Sequence, residues 1–243
     1  MTGETRDIHA AITAVWNNKD DEEYRKDQSH YRGFGRWADD AAWKEIGQSS
    51  LQKVQFLWRL ANRSKDTLKD LSVMEWGPGG GANAFGLQQV ARQYYGVDIS
   101  QKNLDECCRM MTIEGRENYV VPILLEGEPS SVVPRVKEPI ELFLSTAVFQ
   151  HFPSRAYGVD VLEAVRAVCS STACGFVQIR FDNGNTKYSG INSVEEYAAR
   201  HITATSYPID TFWDELQRAG FAPLAVNAIR TTNNYATFYF RSR

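Results

Sequence analysis

Residues 73–83 read Val-Met-Glu-Trp-Gly-Pro-Gly-Gly-Gly-Ala-Asn, an apolar run that breaks into four glycines within five positions and then resumes in a helix-prone segment. Glycine allows a sharp turn and lets backbone approach another group more closely than any Cβ would permit. A strand that stops abruptly in such a turn, with a helix starting beyond it, is a ligand-facing element of α/β folds. The rest of the chain agrees. From Leu71 onward, short apolar runs alternate with amphipathic stretches, the pattern of βαβ units and a mostly parallel sheet. Strands are predicted at 71–76, 94–98, 120–125, 140–145 and 174–180, and helices at 82–92, 101–114, 155–169 and 209–219. The last helix ends on Ala219-Gly220, a C-cap signal. Two β-rich runs flank Thr231–Asn234 and predict a closing hairpin. The expectation is a Rossmann-like, seven-stranded, mostly parallel sheet with a C-terminal antiparallel hairpin.

Upstream, residues 1–65 are polar and Trp-rich. Ile8, Ala11, Ile12 and Val15 fit one helical face, and Leu51, Val54, Leu57 and Trp58 fit another. Between them, YRGFGRWADDAAW is dense in rings, glycine and arginine; it either packs on the body of the protein or forms a lid over a ligand. The domain plan is an N-terminal helical cap over 1–65, then one ligand-binding domain over 66–243 with an insertion at about 181–207. At 243 residues, 43% of them hydrophobic, the chain has ample material for that core.

Lys and Arg number 27 against 30 acids, a net charge of −3, and no basic run offers a footprint for nucleic acid. The longest apolar stretch, Ile140 to Phe152, is interrupted by Glu141, Ser145, Thr146, Gln150 and His151, which argues against a membrane span. Cys107, Cys108, Cys169 and Cys174 form no CxxC pair. A reduced, cytoplasmic protein is expected, as a monomer or a homodimer.

Gly77, Gly79 and Ala82 satisfy the GxGxxA dinucleotide fingerprint, which alone is weak. Two acids sharpen it. Glu75 stands at the carboxyl end of the strand, where it would repel a pyrophosphate and favour a cationic cofactor. Asp98 ends the next strand, where a carboxylate can accept from two adjacent ribose hydroxyls. With these residues, EWGPGGGAN and YYGVDIS resemble the first two motifs of the class I S-adenosylmethionine (SAM)-dependent methyltransferases. The resemblance covers roughly 66–243, including Phe212–Phe221 before the last hairpin. It implies that Glu75 and the loop Gly77, Pro78, Gly79, Gly81 face the methionine part of SAM. Asp98 would take the ribose, Ile99 the adenine ring, and Glu128, or else Glu126, the adenine amino group.

The fourth strand and its turn, Ile140 to Pro153, resemble the family's segment where methyl donor meets acceptor, with Ser145 at the cofactor. The Asn/Asp-Pro-Pro-Tyr pattern of amino-group methyltransferases is missing, which shifts weight toward oxygen. A hydroxyl must shed its proton, and His151, with an ordinary imidazole pKa near ~6.5, is the candidate general base. Tyr31, Arg36, Trp37, Gln150, Arg180 and Tyr188 are the candidate acceptor residues, suited to stacking on and hydrogen-bonding a small polar molecule. The aromatic segment and the Gln-His-Phe turn also resemble small bacterial sugar O-methyltransferases of polysaccharide biosynthesis, which implies a sugar or glycoside. A phenol or a carboxylate is the alternative acceptor. Asp182, with Glu126, could hold Mg²⁺. Outside this class, the sequence admits an NAD(P)-dependent oxidoreductase or a methyltransferase-like binding module without activity.

Overall fold

The computed structural model describes residues 3–243. Three helices come first: α1 (Gly3–Trp16), α2 (Glu22–Gln28) and α3 (Asp40–Leu60). The rest alternates: β1 (Leu71–Trp76), α4 (Ala82–Leu87), β2 (Ala91–Asp98), α5 (Gln101–Ile113), β3 (Val120–Leu124), β4 (Ile140–Ser145), α6 (Arg155–Val168) and β5 (Cys169–Arg180). A short α7 (Tyr197–Arg200) lies in the insertion, followed by α8 (Ile209–Arg218), β6 (Phe221–Arg230) and β7 (Tyr235–Ser242). The seven strands lie in the order β3-β2-β1-β4-β5-β7-β6. The first five are parallel, and β7 runs antiparallel to both β5 and β6. The expected sheet and its closing hairpin are present.

β1 is buried along its whole length, as a central parallel strand covered on both faces must be. Successive side chains point to opposite faces, so Met74 and Phe143 enter one core while Val73 and Leu142 enter the other. Helices α6 and α8 cover the first face through Val161, Leu162, Phe212 and Leu216. The second receives Val54, Leu57 and Trp58 of α3 and Leu87 of α4. Helix α3 thus belongs to the covering layer of the sheet, and no boundary between two cores falls at residue 65.

Local signals set the helix ends. Asp39 caps α3 by accepting from Ala41 N at 2.9 Å, and Ser154 caps α6 by accepting from Tyr157 N at 3.2 Å. Gly220 follows α8 with φ 88°. Two expected boundaries move. The helix expected over 82–92 stops at Leu87, and β2 starts at Ala91, paired with Leu71 of β1. Pairing with β1 overrides local helical preference there. The strand expected from 174 likewise starts at Cys169, directly after α6. Within the predicted α1 face, Ile12 is buried against Tyr197 and Ala204, with Ala11 and Val15 beside it; the side chain of Ile8 lies outside the described residues.

Helices α3 and α4 cross at a glycine on each side. A Cβ on Gly47 would stand 2.8 Å from Gly86 Cα and closer still to Ala82 O. The two backbones are in contact, and neither can retreat, because Trp43 on α3 is fully buried beside Ala82. Gly47→Ala should therefore cost about 1–3 kcal/mol through overpacking, read as a lower midpoint in urea with an unchanged slope. A midpoint equal to wild type would refute the crossing.

Candidate functional site

The glycine turn after β1 is occupied first by the protein itself. Gly80 N donates to Ser29 O at 2.7 Å, and a Cβ on Gly80 would lie 2.6 Å from His30 O. Gly79, at φ 51°, faces the Ser29 carbonyl just as closely. The segment after α2 thus lies directly on the turn, and the residues that allow this lack a Cβ. Gly81 N is spent on Pro78 O at 3.0 Å. Two amides that would cradle a phosphate at this helix start already have acceptors.

A cavity of about 90 Å³, open to solvent on one side, lies beside this seam. Its floor is the carboxyl edge of the sheet: Gly77 and Gly79, Asp98 and Ile99, Leu125, and Thr146 to Val148. The cap supplies Ile12, Trp16, Ser29 and His30, and the remaining wall holds His151, Phe152, Tyr157 and Tyr197. Five residues expected at the site therefore meet here: Gly77, Gly79, Asp98, Ile99 and His151. Ile12 and Trp16, four apart on α1, share a face, a spacing legible in the sequence although its target was not.

Asp98 is buried, with Oδ1 accepting from Ser100 N at 2.8 Å and Oδ2 from Asn103 Nδ2 at 3.2 Å. Burial pushes its pKa up to about 6, against the pull of those hydrogen bonds. Glu75 differs from expectation. It has no exposed surface and does not line the cavity; Asn83 Nδ2 donates to Oε1 at 2.5 Å and Tyr94 OH to Oε2 at 2.6 Å. Burial raises its pKa to about 8, so near neutral pH it is mostly an uncharged acid and cannot select a cation by its charge.

His151 borders the cavity with its ring 5.0 Å from that of Trp16, edge to face. Its Nδ1 lies 2.8 Å from His201 O, and a carbonyl only accepts, so the hydrogen is on Nδ1 and the lone pair on Nε2. Gln150 Nε2 lies 3.3 Å from that second nitrogen. Burial drives the His151 pKa down to about 4, not the ordinary value assumed from sequence. Tyr197 OH donates to the His151 carbonyl at 2.7 Å and receives Trp16 Nε1 at 3.2 Å, tying cap, turn and insertion together.

Other expected residues lie elsewhere. Pro78 packs toward Gly96, Gly81 against Cys107, and Ser145 Oγ donates to Trp76 O at 2.9 Å, locking β4 to β1. Glu126 and Glu128 flank a separate surface depression, and Leu125 takes the cavity position on the β3 side. None of the six expected acceptor residues lines the cavity. Tyr31 OH donates to Lys102 O, Trp37 Nε1 to Asp27 O, and the exposed Arg36 pairs with Asp27. Arg180 is buried between the rings of Tyr188 and Tyr235, 4.6 and 4.7 Å from their centres, and Gln150 Nε2 donates to Tyr235 OH. The aromatic segment packs on the body, and the residue just before it, His30, borders the cavity. Asp182 pairs with Arg155 at 3.2 Å, Glu126 lies at the separate depression, and among the described residues no three His, Cys, Asp or Glu gather as metal ligands. No described helix is long and apolar enough to cross a membrane.

No family model and no curated protein matches this sequence. Solved structures do match. Magnesium protoporphyrin IX methyltransferase from Synechocystis PCC 6803 with bound SAM aligns over 100% of both chains at 15% identity and a TM-score of 0.64. The N-methyltransferase NodS from Bradyrhizobium japonicum WM9, in complex with S-adenosylhomocysteine, aligns over 79% of this chain and 86% of its own, at 10% identity and 0.57. The [4+2]-cyclase SpnF aligns over 77% and 80%, at 11% and 0.57. The fold is that of the class I SAM-dependent methyltransferases. The cyclase shows that this fold carries more than one reaction, so function rests on the site.

The buried acids and histidines give a pH signature. Glu75 binds its proton more tightly folded than unfolded, so its contribution to stability is complete below about pH 4.5 and is lost as pH rises through about 8. His151 and His30, both lowered to about 4, act in the opposite sense only below about 6.5. Lys53, lowered to about 8, acts only above that. Between pH 6.5 and 8 the stability of the ligand-free protein should thus fall by up to about 1.4 kcal/mol per pH unit. Glu75→Gln should flatten that slope in paired denaturant titrations; an equally steep variant would refute the assignment.

Proposed function

We propose that this protein is a SAM-dependent O-methyltransferase acting on a small hydroxylated acceptor. The observation that carries this reading is Asp98 at the carboxyl end of β2, lining a cavity beside the glycine turn with its backbone and Asn103 bonds already made. A carboxylate so held keeps acceptor capacity for two vicinal hydroxyls of a ribose. Two features weigh against a dinucleotide. The turn amides that would meet a pyrophosphate are engaged by Ser29 and Pro78, and β7 stands between β5 and β6, unlike the 3-2-1-4-5-6 order of dinucleotide folds.

The residues present fit SAM: Asp98 would hold the ribose, Ile99 and Leu125 would pack on the adenine, and Gly77 and Gly79 would leave room for the methionine part. When bound, SAM supplies an electrophilic methyl that needs no further activation. The protein then has to orient the acceptor, exclude water and accept one proton. The indole face of Trp16 would stack on the acceptor ring, and the lone pair on His151 Nε2, which faces Gln150 Nε2 at 3.3 Å, would exchange that donor for the acceptor's hydroxyl. A sugar or glycoside stacks on such a face by its apolar side. The enclosure by Trp16, Phe152, Tyr157 and Tyr197 favours a phenol as the second reading.

S-Adenosylhomocysteine should raise the melting temperature by mass action, whereas NADH should not; the reverse pattern would replace this reading with an oxidoreductase. Asp98→Ala should weaken S-adenosylhomocysteine at least tenfold in calorimetry. Turnover of radiolabelled SAM over a panel of sugars, phenols and acids identifies the acceptor, and His151→Ala should reduce kcat there at least a hundredfold with cofactor affinity retained. Because His151 is already neutral above about pH 4, its limb of the pH–rate profile should lie near pH 4; a limb near 6.5 that vanishes in His151→Ala would contradict the environment described.

A further inference from the structure

Arg25 on α2 is almost wholly buried, yet the carboxylate nearest it is a half-exposed Glu22 at 3.6 Å. Its inner face makes the more consequential contacts. Arg25 Nη1 donates to Tyr31 OH at 2.9 Å and reaches Asn103 Oδ1 at 3.4 Å. Tyr31 OH lies 3.2 Å from the same Oδ1 and 2.8 Å from Lys102 O. Asn103 then presents Nδ2 to Asp98 Oδ2 at 3.2 Å.

An asparagine amide can face either way, and its neighbours decide which. A guanidinium has only donors, so Arg25 draws Oδ1 toward itself and turns Nδ2 toward the acid. Reversed, the amide would set its oxygen against the Asp98 carboxylate and its NH₂ against the guanidinium, two repulsive pairs in place of two attractive ones. Arg25 does not line the cavity, whereas Asn103 and Asp98 do.

We propose that Arg25 is a positioning residue for the diol-binding acid: through Asn103 it holds Asp98 in the orientation that accepts the vicinal hydroxyls of a nucleoside, and so links the seating of the cap to cofactor affinity. This rests on the cofactor reading above. The link is one-directional in chemistry: Arg25 orients Asn103, Asn103 orients Asp98, and the acid's free lone pairs face the ligand. Its signature is selective. Loss of Arg25 weakens ligands that carry the diol and spares those that lack it, whereas a general loss of cap packing weakens both.

The test is calorimetry of S-adenosylhomocysteine and its 2′,3′-dideoxy form with the full chain as wild type, Arg25→Met, Asn103→Ala and Asp98→Ala. Wild-type binding of S-adenosylhomocysteine is read first, and its absence would fell the cofactor reading itself. Given that binding, Arg25→Met should weaken S-adenosylhomocysteine about tenfold and the dideoxy form less than twofold. Unchanged affinity for the diol ligand, or equal loss of both ligands in a variant that keeps its cooperative melting transition, would overturn the proposal. Should Arg25→Met fail to fold, Asn103→Ala decides, because it removes the link itself: the same selective loss upholds the coupling, and an unchanged ratio overturns it.

Discussion

The contact on which the rest of the site depends is backbone on backbone: Ser29 O accepting from Gly80 N at 2.7 Å. It sets the N-terminal segment onto the turn at the end of β1, and from there the cap falls into place. His30 O takes Trp43 Nε1 at 2.7 Å, which anchors the start of α3, and Tyr31 reaches α5 through Lys102 O. The glycine turn in this chain is thus a joint between two parts of the protein as well as the rim of a cavity. This explains why several glycines in a row are needed. Gly77 borders the cavity, and Gly79 does so while also meeting Ser29, whereas Gly80 serves the joint.

Much of the fold was legible because its code is local. Seven apolar runs at intervals with amphipathic stretches between them give seven strands, and the Gly220 and Asn234 turns close the last helix and hairpin where expected. The strand ends were legible for the same reason, which is why Gly77, Asp98, Ile99 and His151 reach the cavity. Glu75 was misread because its environment depends on register. Val73 pairs with Tyr94, so Tyr94 and Glu75 share one face of the sheet, and the phenol reaches along that face to the carboxylate. Asn83 on α4 closes the same pocket from above.

The expected acceptor residues lie away from the cavity for a different reason. A buried indole or phenol needs a hydrogen-bond partner, and composition does not say whether that partner is a ligand or a carbonyl. Here the partners are carbonyls: Asp27 O for Trp37 and Lys102 O for Tyr31, as His30 O is for the neighbouring Trp43. Those polar tips hold the segment against the body. The cavity wall was drawn instead from Trp16 and Tyr197, 181 positions apart and bonded to each other, a contact no local pattern announces.

The ionisable groups around the cavity all move toward their neutral forms: Glu75 and Asp98 upward, His30 and His151 downward. One cause, removal from water, accounts for the leading part of each shift. In the proposed reaction this has a mechanical consequence. Methyl transfer from a sulfonium to a hydroxyl starts from a concentrated positive charge and disperses it. A wall of strong anions beside the sulfur would stabilise the starting state more than the transition state and slow the step. The walls seen here, aromatic rings and neutral imidazoles, with the nearby Glu75 held as its acid behind them, avoid that penalty, and Asp98, the lining carboxylate that remains mostly ionised at pH 7, is committed to orientation. For that proposed reaction, such a cavity would act by placement and by exclusion of water. Hence the joint at Ser29 and Gly80, which seats the N-terminal segment beside the cavity, would fix where the proposed chemistry can occur.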